Sequence, residues 1–355
     1  MKGKLILLIS TTALAVASCF LFLSLQTQEH SSVPLIKQTE EQDPSVTNPS
    51  SAESCVDVTI VRDHHAGLTK PLLFADLNCE SPELAPLKEK LNTTIAQLKS
   101  EGTLQKATVY FKELNTLRWI QAGDATEYYP ASMLKIAVML NVLKVSEGKP
   151  GMLDQRLQLI ESTGFGVLEK PSKPLEKGKF YSVRELLEAM IVRSDNDATK
   201  LLFTVMDDGI YADMYAKLNI PQPHHEDFFY QLSPANMAKF YRILYNVSYL
   251  NENNSEYALK LLTQSEFNGG LAAGVPTEAK VAHKFGEHFT EGNAKQFHDS
   301  GIVYFSGSAY VVVIMTEGNE LTQLERAVAN LSEVCFMNRS GKAEEPIRKT
   351  YSRQA

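Results

Sequence analysis

Hydrophobic and polar positions divide the chain into three stretches. Residues 5–25 are apolar almost throughout and carry no charge, whereas residues 28–54 have no apolar period at all. From residue 55 onward short alternating runs and helical spacings take turns. Leu87, Leu91, Ile95 and Leu98 lie at helical intervals and predict a helix over 86–100 that stops near Gly102. Strands are predicted at 107–114 and 117–122, joined through Asn115-Thr116. Residues 131–145 are apolar over most of a helical surface, as a buried helix is. The middle, about 151–268, is mostly helical. Ser182 and Glu185 have capping-box spacing, a second helix follows Asp197, a third begins near Pro234, and a fourth covers 256–262. Strand signals return at 281–286, 301–305 and 310–316, the last two separated by the turn Ser306-Gly307-Ser308. Residues 321–334 close the chain with an amphipathic helix.

Two strands, a helical insertion, three strands and a final helix predict an α/β chain of the α+β type. Its antiparallel five-stranded sheet is flanked by helices, and the insertion forms an all-α lobe beside it. A cleft between sheet and lobe would draw residues from both. The implied organisation is an N-terminal membrane anchor or signal segment (1–27), a disordered tether (28–54), an N-terminal extension (55–85), the main domain (86–340, helical lobe about 146–268) and a tail (341–355).

Composition narrows the function classes. The 355 residues are 44% hydrophobic and 22% charged, the balance of a globular chain. A net charge of −7 argues against a general nucleic-acid binder, which shows a basic face. Mean hydropathy of −0.18 excludes a multi-span membrane protein.

Lys2 and Lys4 precede the charge-free run, whose length matches the roughly 20 residues that span a bilayer core. That is the pattern of an export signal or an uncleaved anchor. Val16-Ala17-Ser18-Cys19 also resembles a lipoprotein box, which leaves lipidation at Cys19 open. Pro34, Pro44, Pro49 and many polar residues make 28–54 a tether unable to bury enough surface to order itself. The other cysteines, Cys55, Cys79 and Cys335, lack CxxC spacing. A Cys55–Cys79 disulfide with Cys335 buried and free, or three unpaired thiols, both fit.

The chemistry-bearing residues fall in three places. Ser132-Met133-Leu134-Lys135 opens the buried helix, with hydroxyl and amine three residues apart on one face. A lysine desolvated there moves toward a base's working range. Ser194-Asp195-Asn196 separates two predicted helices, and His283-Lys284-Phe285-Gly286 lies on a returning strand. Singly each is weak. In this order and context they resemble the Ser-x-x-Lys, Ser-Asp-Asn and Lys-Thr-Gly set of the penicillin-recognising serine enzymes, in the branch of class A β-lactamases and D,D-peptidases. The likeness covers about residues 87–336 and takes in the Ser233-Pro234 helix start.

That resemblance implies Ser132 as acylated nucleophile, Lys135 as its base or proton relay, and Ser194 as proton shuttle to the leaving nitrogen, with Asn196 hydrogen-bonded to Lys135 and Lys284 tuning Ser194. It implies that Asn196 and Lys284 bind substrate, with Phe285 and Gly286 beside them, and that the backbone amides of Ser132 and Glu287 form the oxyanion hole. The substrate would be a β-lactam or a peptidoglycan peptide. No cofactor, metal or nucleic acid is implied. The compartment would be the bacterial cell envelope, outside the cytoplasm, with the chain membrane-anchored or secreted.

Two departures stand out. Phe285 occupies the place of a Thr or Ser whose hydroxyl would bond the substrate carboxylate, a loss of about 1.5–3 kcal/mol. The stretch 219–232 looks short for the loop that carries a deacylating Glu. Its one Glu is Glu226, within His224-His225-Glu226-Asp227, and either a displaced base or a solvated acid fits it. Those residues with His64-His65 offer no metal-ligand spacing. His298 and Asp299 are read as a strand-entry turn, not as triad partners of Ser132. β-Lactamase, D,D-peptidase and a non-catalytic peptidoglycan binder remain the competing readings.

Overall fold

The computed structural model describes residues 57–63, 68–162, 173–223, 230–290 and 292–339. The anchor, tether and tail expected from sequence, Cys55, His64-His65 and the whole of His224-His225-Glu226-Asp227 lie outside these. The elements run β1 (Val58–Arg62), β2 (Leu72–Leu77), α1 (Ala85–Ser100), β3 (Lys106–Glu113), β4 (Trp119–Gly123), α2 (Lys135–Gly148), β5 (Arg156–Gln158) and β6 (Phe180–Ser182). They continue with α3 (Val183–Val192), α4 (Asn196–Phe203), α5 (Asp208–Leu218), α6 (Pro234–Tyr245), α7 (Glu252–Thr263), α8 (Gly270–Ala273), β7 (Lys280–Phe289), β8 (Lys295–Phe305), β9 (Ser308–Gly318) and α9 (Leu321–Asn338).

Helix starts follow local chemistry. Ser182 and Glu185 close the expected capping box ahead of α3. Asp195 accepts the Ala198 amide at 2.7 Å and opens α4. Ser233 caps α6 with Pro234 at its first position, where the missing N–H is not needed. Ser306 and Gly307, both at positive φ, form the two-residue turn that joins β8 to β9 with Phe305 opposite Ser308.

The main sheet has the order β4-β3-β9-β8-β7, all antiparallel, so β7 is an edge. One buried cluster lies between the sheet and α2, α3 and α6, and a second lies between the other face and α1 and α9. β8 and β9 are therefore buried on both faces. This double burial hides strand alternation. It explains why the sequence places the start of β8 at Gly301, whereas the strand begins at Lys295. His298 and Asp299 are thus mid-strand and buried, a correction to their reading as a turn.

The extension holds the β1–β2 hairpin, which α6 and β3 seat. Arg242 reaches Asp76 at 2.9 Å and lies over the Phe74 ring, and Lys112 ion-pairs the same Asp76. Cys79, just beyond it, is disulfide-bonded, while Cys335 is buried and free.

Candidate active site

The buried helix predicted over 131–145 begins later than expected. Residues Ala131–Leu134 form a 3₁₀ turn, and α2 proper starts at Lys135. Ser132 sits in that turn, half-buried, after Ala131 at φ 48°. A 3₁₀ turn eclipses residues three apart, which aligns Ser132 with Lys135 at the junction.

Lys135 is 5% exposed and points its ammonium into the loop before α4. Nζ donates to Ser194 O at 2.5 Å, to Ser194 Oγ at 3.1 Å and to Asn196 Oδ1 at 2.8 Å. Ser194 adopts φ 57°, uncommon for a residue with a side chain, and this turns both its oxygens toward the lysine. Burial pushes the Lys135 ammonium down to about 7, and the charge of Asp195 opposes that shift. Among the described residues no hydrogen bond joins Lys135 to Ser132 itself.

β7 brings in the third group. Its alternation puts Lys284, Gly286 and His288 on the face toward the 3₁₀ turn, and His283, Phe285 and Glu287 on the other. Gly286 lies hard against the turn. A Cβ there would sit 2.7 Å from Pro130 O and 3.1 Å from the amide nitrogens of Ser132 and Met133. Glu287, the next residue, is consequently the strand amide that follows the close approach.

Lys284 is fully buried. Its Nζ donates to Phe285 O at 3.0 Å and lies 4.1 Å from the centroid of the Phe285 ring. Desolvation holds this ammonium well below the ordinary lysine range, and Lys135 lowers it further while Asp299 and Glu287 act the other way. Across the strands, Ser300 Oγ reaches Lys284 O and Tyr241 OH donates to Ser300 O at 2.5 Å. The Phe285 ring packs on Phe267 (centroids 4.2 Å apart) and Phe297, so a hydrophobic cluster replaces the hydroxyl expected at this position.

His298 is neutral in this setting. Its Nδ1 accepts the Thr316 amide and burial pushes its value down to about 3, so it serves the sheet and not Ser132. Asp299 accepts from the Leu271 amide and pairs with His283 at 2.9 Å, on the face away from the Ser132 turn. Ser132, Lys135, Ser194, Asn196, Lys284 and Gly286 therefore converge. Glu226 lies outside the described residues, within the segment between α5 and α6. Sequence reasoning missed Tyr129, His288 and Gln296, which meet beside the turn; strand alternation from Lys284 was the signal that could have found His288.

The beta-lactamase enzyme family matches residues 86–338. No curated protein sequence matches the chain. Among solved structures, PBP-A in an acyl-enzyme complex with penicillin G is similar at 20% identity and TM-score 0.59, over 72% of this chain and 96% of that one. A β-lactamase from Chitinophaga pinensis gives 20% identity and TM-score 0.61, over 70% and 97%. A class A β-lactamase from Mycobacterium abscessus gives 18% and 0.58, over 69% and 98%.

Proposed function

Because the chain belongs to the beta-lactamase enzyme family, we propose that it is a serine acyl-transfer hydrolase. Its substrate is a β-lactam or a D-alanyl-D-alanine-type amide, and its acyl-enzyme forms on Ser132. The observation that carries this reading is the Lys135 ammonium bonded to Ser194 Oγ and Asn196 Oδ1 beside the Ser132 turn. A lysine near 7 is half-deprotonated at neutral pH and can take the Ser132 proton as Oγ attacks the carbonyl carbon. The carbonyl oxygen, now anionic, faces the amides of Ser132 and Glu287. When the C–N bond breaks, Ser194 Oγ gives its proton to the leaving nitrogen and regains one from Lys135. Asn196 holds a substrate amide and Lys284 a carboxylate.

Phe285 and the short segment between Leu218 and Pro234 favour slow deacylation, hence penicillin-binding or D,D-peptidase behaviour, over a fast resistance enzyme. Lys2, Lys4 and the charge-free run after them, with the disulfide at Cys79, support a site of action in the cell envelope outside the cytoplasm.

The test is intact mass of the full chain after a penicillin or a cephalosporin is added, with Ser132→Ala as control. A persistent adduct absent from the control is expected. Unmodified protein with hydrolysed drug means a true β-lactamase with a working deacylation base, Glu226 or another. Unmodified protein with intact drug overturns the β-lactam reaction and leaves the peptidoglycan binder.

A further inference from the structure

The Ser132 turn and the Lys284–Gly286 strand are far apart in sequence, and no covalent link sets the gap between them. Two contacts of Tyr129, made to residues that pair with each other, span it beside the close approach at Gly286. The Tyr129 ring lies on the His288 imidazole with centroids 4.5 Å apart at 32°. The Tyr129 amide donates to Gln296 Oε1 at 3.1 Å. His288 and Gln296 are themselves cross-strand partners on β7 and β8, so one rung of the sheet grips one residue by ring and by backbone. Gln296 is fixed in turn: its Nε2 donates to Glu317 Oε2 at 2.7 Å.

Tyr129 stands just ahead of Pro130, and Glu287 stands between Gly286 and His288. The strand is thus pinned to the turn on both sides of Glu287, by the Cβ-free approach at Gly286 and by the ring stack at His288. An edge strand has no further strand to hold its outer side, so this contact fixes its distance from the nucleophile.

We infer that Tyr129, His288 and Gln296 form a clamp that sets the spacing of the Ser132 and Glu287 amides, and that they are positioning residues for the oxyanion hole. The inference rests on the acyl-transfer reading for its consequence but not for its geometry. Oxyanion donors act only at the correct separation, and each is worth about 10²–10³ in rate. Loosening the pair slows the chemical step and leaves substrate binding, which Asn196 and Lys284 provide, nearly unchanged.

Two readouts on the full chain test it. Hydrogen exchange of peptides covering residues 129–134 and 284–289 is expected to quicken in His288→Ala and to return in His288→Phe, which keeps a ring to stack. Benzylpenicillin labelling by intact mass is expected to show a saturating acylation rate about 10–100-fold lower in His288→Ala, with half-saturation within about threefold. His288→Phe recovers most of the rate, and Tyr129→Ala reproduces the His288→Ala defect. Unchanged exchange in His288→Ala overturns the clamp, whatever the rates. So does a His288→Phe defect as large as that of His288→Ala, which would make the imidazole itself the acting group. If wild type takes no label, the acyl-transfer reading fails, while the exchange comparison still decides the clamp.

Discussion

Lys135 and Lys284 are two buried lysines of one site, and their surroundings differ in kind. Lys135 is met by three oxygens from Ser194 and Asn196, with the Asp195 carboxylate close enough to favour its charge. Among the described residues Lys284 donates to one carbonyl and otherwise faces an aromatic ring. The first setting is built to hold and release a proton near neutrality. The second gives its lysine little polar support and disfavours the charged form, on a strand where Phe285 belongs to a Phe267–Phe285–Phe297 cluster. On the acyl-transfer reading proposed above, one half of the site would handle the proton and has its residues in place, while in the other half the position expected to bond a substrate carboxylate is given over to packing.

The sharpest way to separate the halves is Lys135→Met. Acylation should fall by about 10²–10⁴, the usual worth of a positioned acid–base group. The same variant should be more stable at neutral pH. In wild type the unfolded lysine keeps its proton up to 10.5, whereas the folded one releases it near 7, so stability rises with pH between those values and the variant loses that rise. Denaturant midpoints at pH 7 and pH 10 read it directly.

Next is Gly286→Ala, whose Cβ must push Pro130 O and the Ser132 amide aside. About a hundredfold loss of acylation is expected, in a protein that still melts cooperatively. Phe285→Thr works on the other half. It should tighten carboxylate-bearing ligands about tenfold, yet cost roughly 3 kcal/mol of stability through lost packing. Equal affinity for benzylpenicillin in the two proteins would dissolve the contrast between the lysines. A pH series gives a comparable change: acylation should rise about tenfold from pH 6 to pH 8 as Lys135 loses its proton. The smallest effect belongs to Gly307→Ala in the remote β8–β9 turn, where φ is 76°. It should cost about 1 kcal/mol and leave acylation untouched.

Much of this was legible in the sequence. Helix starts at Ser182 and Ser233 are read from residues that act on their own nearest amides, so local chemistry suffices; the helix expected after Asp197 begins earlier, at Asn196, because Asp195 is the residue that caps it. The turn at Ser306-Gly307 is equally local. The start of β8 was not legible, because His298, Asp299 and Ser300 are polar residues buried by tertiary partners that spacing cannot reveal. The three motifs were found by type and order. The Lys135–Asn196 bond was implied by the family resemblance and is present; that Lys135 also meets both oxygens of Ser194, and that Ser132 stands in a 3₁₀ turn, goes with the left-handed backbone at Ser194 and Ala131, which neither residue type advertises. His288 and Tyr129 were missed because an aromatic contact between distant segments leaves no periodic trace.

The sheet's strand order also governs when the fold can form. β3, synthesised early, pairs along its length with β9, which leaves the ribosome only after the whole helical insertion and two further strands. Until then β3 has only its neighbour β4, and the strand carrying Lys284 is missing, so the sheet that frames the site is completed late. Closing so long a loop is slow. Until the last hairpin arrives one edge of β3 stays unpaired, the kind of exposed strand edge that is open to aggregation.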